Sequence, residues 1–241
     1  MINAEIVVPA LTLRDGSGRL DEVATAAYAA RAADTWIDRF ILSGTTTQGQ
    51  SMTLDERAAV LDLWLDVAPS ARLLAGCWTD ADIDQAQQRG VAPIVVMRDL
   101  ADRAAARAFL RSLPAGAYVY SHPTHSPMTL DAELCAAAGE AGCLPAGAKL
   151  AKVRPGDIQA VRRTTGQRFT LWDASCRNIA RSVAVGASGV VATPLSPFVL
   201  PNRPYELGAL QCQLNVVQNE LDRLGSPTAR RDYLHARAAR S

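Results

Sequence analysis

The sequence predicts a single (β/α)8 barrel, an α/β TIM barrel, with a short C-terminal helical extension. Three observations predict it. Eight short apolar runs alternate with eight amphipathic helical patterns over about 225 residues, the arithmetic of this fold. The segment after the first run, PALTLRDGSGRLDE, has neither a GxGxxG nor a Walker pattern, one of which a doubly wound open sheet leads one to expect. No linker, low-complexity stretch or longer repeat divides the chain. The expected organisation is a barrel over 1–202, with a helix and tail over 203–241 belonging to the same domain.

The expected strands are 5–11, 38–44, 71–77, 92–98, 117–122, 146–152, 168–174 and 187–193. Each is short, apolar and bounded by Gly, Pro or polar residues, as strands buried on both faces are. Helical patterns cover 20–34, 53–68, 80–89, 100–113, 129–142, 155–166 and 176–186. The second opens on Thr53-x-x-Glu56, a capping box. Pro155 stands in the first turn of the sixth, where its missing N–H costs little. Residues 203–224 form a longer helix, and the basic tail 225–241 is expected to fray.

With 49% apolar and 20% charged residues in 241, the composition is that of a soluble globular protein. No apolar run reaches the roughly 20 residues of a membrane helix. The net charge is +1 with basic and acidic residues interspersed, so there is no footprint for nucleic acid or an anionic membrane. The start, MINAEIVVPALTLRDG, lacks a basic head and reads as no secretory signal, so a cytoplasmic location is expected. The five cysteines are an odd number without a CxxC pair, which reads as reduced thiols. Cys77 and Cys176 are read as small buried residues.

Of the 25 basic residues, 23 are Arg and two are Lys, Lys149 and Lys152. A bias toward Arg replaces any lysine that is only a solvated charge. A lysine that survives is then a candidate for chemistry that a guanidinium cannot do.

In this fold, chemistry sits where strands end. Those ends offer Gly44-Thr45-Thr46-Thr47, Arg98-Asp99, Tyr120-Ser121-His122-Pro123-Thr124-His125, Lys149 and Trp172-Asp173. On a period of two, Gly147 and Ala151 share the face of Lys149, leaving small side chains beside the amine. A lysine inside an apolar barrel loses its proton more readily. A neutral amine can then attack a ketone and form an imine. The plain alternative is a lysine that snorkels or pairs with Asp173.

Tyr120 could relay protons to the reacting oxygen, or simply fill the barrel; Tyr118 shares its face one layer deeper. The Gly44-Thr45-Thr46 turn suits a carboxylate or phosphate oxygen. Arg98 is a candidate for a second anionic group or an outward structural residue. His122 and His125 could bind substrate, or with Asp173 form a metal site. Pro123 between them and the lack of a clear third ligand argue for no metal.

In order and spacing these segments resemble the dihydrodipicolinate synthase/N-acetylneuraminate lyase family, the Schiff-base class I aldolases. The resemblance runs from about Pro9 to Pro197. ILSGTTTQGQSMTLDER is similar to the family's GTTGE signature, YSHPTHSP to YNxPxxTG, AGAKLAK to the G-x-K segment, and GASGVVAT to the last strand. The resemblance implies Lys149 as the imine lysine, with no cofactor, Tyr120 as proton relay, and Thr45 and Thr46 on the carboxylate of a 2-oxo acid. Thr45 would also link to Tyr120. Gly44, Thr47, His122, His125, Arg98 and Asp173 complete the expected substrate-binding set.

The chain departs from the family pattern around this core. Ser121 replaces the asparagine after the tyrosine, His125 stands where the synthases place an arginine, and Thr47-Gln48 replace Gly-Glu. No aromatic stretch follows the fourth strand, and the C-terminal extension is short. The expected function is a lyase that cleaves or forms a C–C bond of a 2-oxo acid, with pyruvate as donor or product and an aldehyde as partner. A dehydratase of the same family and a non-catalytic or regulatory barrel that binds a small carboxylate are the alternatives. A homodimer or homotetramer is expected, its interface covering apolar helix faces that the short chain leaves open.

Overall fold

The computed structural model describes residues 4–199, 202–203 and 206–238. Eight parallel strands close on themselves in sequence order: β1 (Glu5–Pro9), β2 (Arg39–Leu42), β3 (Leu73–Cys77), β4 (Ala92–Val96), β5 (Tyr118–Ser121), β6 (Gly147–Leu150), β7 (Thr170–Asp173) and β8 (Gly189–Val191). The ring is completed by β1 pairing with β8. Between the strands lie α1 (Glu22–Ala33), α2 (Leu54–Leu65), α3 (Asp80–Gln88), α4 (Arg103–Ser112), α5 (Ala132–Glu140), α6 (Pro155–Thr165) and α7 (Ile179–Ala184). The single turn α8 (Ser196–Val199) and the helices α9 (Leu207–Arg223) and α10 (Pro227–Ala238) follow the last strand.

Each strand is apolar on both faces because each face meets a different core. Alternate residues Ile94 and Val96, Tyr118 and Tyr120, and Trp172 with Val191 pack together inside the barrel. Their neighbours, such as Val119, Ala148 and Leu150, pack outward beneath the helices. The helices start where the sequence expects. Thr53 and Glu56 form the reciprocal capping box, at 3.0 and 3.1 Å. Asp21, Asp102 and Asp131 cap α1, α4 and α5.

The lower half of the barrel is plugged. Tyr118 stacks on Trp172 with centroids 5.0 Å apart, and the indole N–H of Trp172 donates to Glu5 at 2.7 Å. Arg39 closes the group through an ion pair with Glu5 at 3.3 Å. Gly147 makes this packing possible, because a Cβ there would stand 2.9 Å from the Tyr118 ring and 2.3 Å from the Thr170 carbonyl. The space beside Lys149 on its lower side is therefore filled by a neighbour's ring rather than left open.

Two expectations change. The tail does not fray over 227–238: it forms α10, whose Leu234 and Ala238 join the main core. Arg31 of α1 donates to the Ala238 carbonyl at 2.6 Å, and Tyr233 hydrogen-bonds Glu220 of α9. The expected bare apolar helix faces are also missing. Among the described residues, Val23, Val67 and Val216 are the exposed large hydrophobics, scattered over three positions. The C-terminal helices supply the cover instead: Leu210, Leu214, Val217 and Leu221 of α9 are all buried. Among the described residues no helix is long and apolar enough to cross a membrane.

Candidate active site

The barrel places two of the expected catalytic residues level with each other. Tyr120 of β5 pairs in register with Lys149 of β6, which pairs with Trp172 of β7. All three side chains share the interior, and Lys149 is only 7% exposed. Its Nζ lies 4.1 Å from the centroid of the Tyr120 ring, over the face, so the aromatic electrons partly replace the water an ammonium loses there. Burial alone pushes the amine down from 10.5 to about 8. No carboxylate counters it, since among the described residues none forms an ion pair with Lys149. The pairing with Asp173 does not form: the Asp173 carboxylate accepts the Ser182 hydroxyl at 2.7 Å, and burial raises its pKa.

Tyr120 is buried and its phenol is held above its ordinary pKa by burial, with a hydrogen bond to Thr45 opposing the shift. Thr45 belongs to a 3-10 turn, Thr45–Thr47, that follows β2. The Gly44 carbonyl accepts the N–H of Thr47 at 3.2 Å and of Gly49 at 3.0 Å. Gly49 is required for this closure, because a Cβ there would fall 1.7 Å from the Ser43 carbonyl oxygen. At the open start of the turn, the N–H groups of Thr45 and Thr46 have no partner within it.

A cavity of about 760 Å3 opens above Lys149, lined by Thr45, Thr46, Tyr120, His122, Lys149 and Asp173 among others. It thus gathers six of the ten expected site residues. The other four sit apart from it. Thr47 is buried, its hydroxyl donating to the Gly44 carbonyl at 3.3 Å. Gly44 lies beneath the turn, against a second, small space of about 10 Å3 beside Lys149.

His125 packs edge-on to Trp78 at 6.1 Å and to Tyr120 at 6.0 Å, behind His122. Arg98 is exposed and pairs with Asp99 at 3.1 Å. By alternation from Val96 it should point inward, but β4 ends at Val96 and Asp99 is left-handed with φ 56°.

Both histidines are neutral near pH 7. For His122 the largest cause is burial, followed by the nearby His125, Lys152 and Lys149. For His125 it is burial, followed by Lys149 and Arg98. The Nδ1 of His122 accepts the Thr124 N–H at 3.0 Å, which leaves its proton on Nε2. Among the described residues no three His, Cys, Asp or Glu side chains gather as a metal site.

Several cavity-lining residues carry no signal in the strand-end reading: Lys152, Arg177, Asn178, Arg181, Arg230 and Arg231. The first stands two residues past β6; Arg177 and Asn178 belong to the turn into α7, Arg181 to α7 itself, and the last two to the first turns of α10. Lys152 and Ser43 are also left-handed, with φ 54° and 50°. Such a residue costs about 1 kcal/mol unless glycine, and the two stand just past the ends of β6 and β2, where the chain turns away from the barrel. Cys77 and Cys176 are buried thiols, the second pushed up by burial to about 11.

Fold and site together define a (β/α)8 barrel with an uncompensated interior lysine at the carboxyl ends of its strands. Solved structures with the same fold include the following three. One is the Sulfolobus solfataricus 2-keto-3-deoxygluconate aldolase in complex with D-KDPG, with TM-score 0.76, 18% identity, and 98% of this chain and 86% of that chain covered. The second is DHDPS from Cyanidioschyzon merolae with lysine bound, at TM-score 0.72 and 18% identity over 98% and 80% of the two chains. The third is a dihydrodipicolinate synthase family protein from Coccidioides immitis, at TM-score 0.71 and 18% identity over 98% and 77%. No family model and no curated protein sequence matches the chain. At these identities the likeness establishes a shared fold.

Proposed function

We propose that the protein is a Schiff-base lyase of the dihydrodipicolinate synthase/N-acetylneuraminate lyase type, acting on a 2-oxo acid through Lys149. The observation that carries this reading is the Lys149 amine. It is buried without a counter-ion, held down to about 8, and set beside Tyr120 at the floor of a large cavity. Solved structures of the same fold include an aldolase and DHDPS proteins, which supports lyase chemistry of this class.

The carboxylate of the 2-oxo acid binds at the open turn of Thr45 and Thr46, which presents the ketone to the amine. Neutral Lys149 attacks the ketone carbon, and the resulting carbinolamine loses water as Tyr120 donates its proton to the departing hydroxyl. The Tyr120 phenolate then takes the proton of the C4 hydroxyl as the bond between C3 and C4 breaks, and the protonated imine accepts the freed electron pair. An aldehyde departs and an enamine remains, which is protonated at C3 and hydrolysed to release the shorter 2-oxo acid. In the opposite direction the enamine attacks an aldehyde. Pyruvate is the three-carbon acid of that scheme.

Incubation with pyruvate and borohydride tests this directly. One stable adduct per chain is expected, and peptide mapping should place it on Lys149. An adduct confined to Lys152, or none with any 2-oxo acid, removes the imine and leaves a barrel that only binds a carboxylate.

A further inference from the structure

The cavity is far larger than pyruvate requires; its volume lies in the range that holds a drug-sized ligand. Its charge is also lopsided. Among the described residues, six cationic side chains line it, Lys149, Lys152, Arg177, Arg181, Arg230 and Arg231, against the one carboxyl of Asp173. That carboxyl is itself pushed toward its neutral form by burial. Arg177 is neutralised by Asp222 at 2.6 Å. Lys152, Arg181, Arg230 and Arg231 have no ion-pair partner among the described residues. Arg230 and Arg231 hydrogen-bond local acceptors, the Leu224 carbonyl at 3.4 Å and the Thr228 hydroxyl at 3.2 Å; the acid nearest in effect to Arg230 is Asp222, which is already bound by Arg177.

These four cations come from three separate elements: the end of β6, α7, and the first turns of α10. The last element is held in place by its own core contacts through Leu234 and Ala238. Like charges converge on one cavity at a cost in self-repulsion, and a bound anion relieves it. In the closed ring β6, whose end carries Lys152 of this cationic wall, lies across from β2, and the turn after β2 holds the Thr45 and Thr46 that serve the carboxylate in the proposed reaction.

We infer that this wall binds a phosphate at the far end of the substrate, so that the 2-oxo acid or its aldehyde half is a phosphate ester. The inference rests on the imine reading for which end of the substrate lies at Lys149, but the anion site itself does not need it. Arginine is suited to phosphate because its planar fork donates two parallel hydrogen bonds, and a doubly charged group can engage several such forks. The neutral His122 adds an uncharged Nε2–H donor between the two ends.

The test uses non-reacting probes on the whole chain. By calorimetry, glycerol 3-phosphate should bind at least tenfold more tightly than glycerol and than glycerate. Arg181→Gln, and separately the double change Arg230→Gln with Arg231→Gln, should each weaken it about tenfold or more. Arg107→Gln, on exposed α4, should not. Two variants on different helices guard against one that fails to fold. In turnover with pyruvate, the preference for glyceraldehyde 3-phosphate over glyceraldehyde should collapse in the same variants.

Equal binding of glycerate and glycerol 3-phosphate would assign the wall to a carboxylate and overturn the phosphate, as would no preference over glycerol. Borohydride trapping run alongside keeps the two readings apart. A chain that traps pyruvate without favouring phosphate loses this site and keeps the imine. A chain that binds glycerol 3-phosphate without trapping keeps the site and loses the imine.

Discussion

Replacing Lys149 by Met should make the protein more stable while removing its chemistry. Burial displaces the amine from 10.5 to about 8, and at 1.36 kcal/mol per pH unit the charged form is destabilised by about 3 kcal/mol. The face of the Tyr120 ring, 4.1 Å from Nζ, gives back about 1 kcal/mol of this. Met has a similar length and no charge, so it can occupy the same slot without the desolvation cost. The variant should gain about 2 kcal/mol at pH 7, roughly 4–8 °C in Tm for a chain of this size.

The pH dependence gives the reasoning its sharper edge. Below pH 8 the lysine carries its proton in both folded and unfolded chains, so the full cost is present in the parent. Between pH 8 and 10.5 the unfolded chain still holds the proton that the folded one has released, and the parent's stability rises. The gap between variant and parent should therefore be widest below pH 8 and close by about pH 10.5. Urea titrations of both proteins at pH 7, 9 and 10.5 measure it. A variant no more stable than the parent at pH 7, or a gap that persists at pH 10.5, would show that the amine is not desolvated and would undercut its role as nucleophile.

Other outcomes follow from the same geometry. Imine formation with pyruvate needs the neutral amine, so its rate at subsaturating pyruvate should climb from pH 6 to 9 with an inflection at about 8; an inflection near 10.5 would contradict the burial seen here. Tyr120→Phe keeps the ring under the amine but loses the phenol, and should slow turnover by roughly 10²-fold or more with little change in Tm; parental rates would make Tyr120 a packing residue. Condensation of pyruvate with aspartate semialdehyde should be poor. His125, at the position where the synthases carry an arginine, is neutral and packed against Trp78; efficient turnover in a coupled assay would mean another group holds that carboxylate.

The barrel was legible because its strands are short apolar runs at regular spacing, and Gly147, Lys149 and Ala151 could be placed on one face by alternation alone. The register that sets Tyr120 beside Lys149 then follows from closing the ring. Beyond the strands, alternation loses its meaning. Arg98 shares the parity of Val96, but the strand has already ended and the left-handed Asp99 turns the chain away. Thr47 looked equal to its neighbours until the 3-10 turn spent its hydroxyl on the Gly44 carbonyl. Helix α10 was missed for a different reason. Its sequence, PTARRDYLHARA, is mostly polar, and its order comes from docking Leu234 and Ala238 onto a core built by distant residues. No local pattern records that, and the arginines it brings to the cavity could not be assigned a place beforehand.

Both lysines of the chain line one cavity, while every other cation is a guanidinium, which does not react with acylating reagents under mild conditions. Apart from the α-amine, the side-chain amines that an activated ester or an aldehyde fixative can modify are thus all within the candidate site. Amine coupling to a bead or a dye, routine and harmless for most proteins, would here be a competition with substrate. Lys152, exposed at the rim, would be modified first and would sit in the way of anything entering. The degree of labelling, with and without a candidate ligand, becomes a direct measure of whether the cavity is filled.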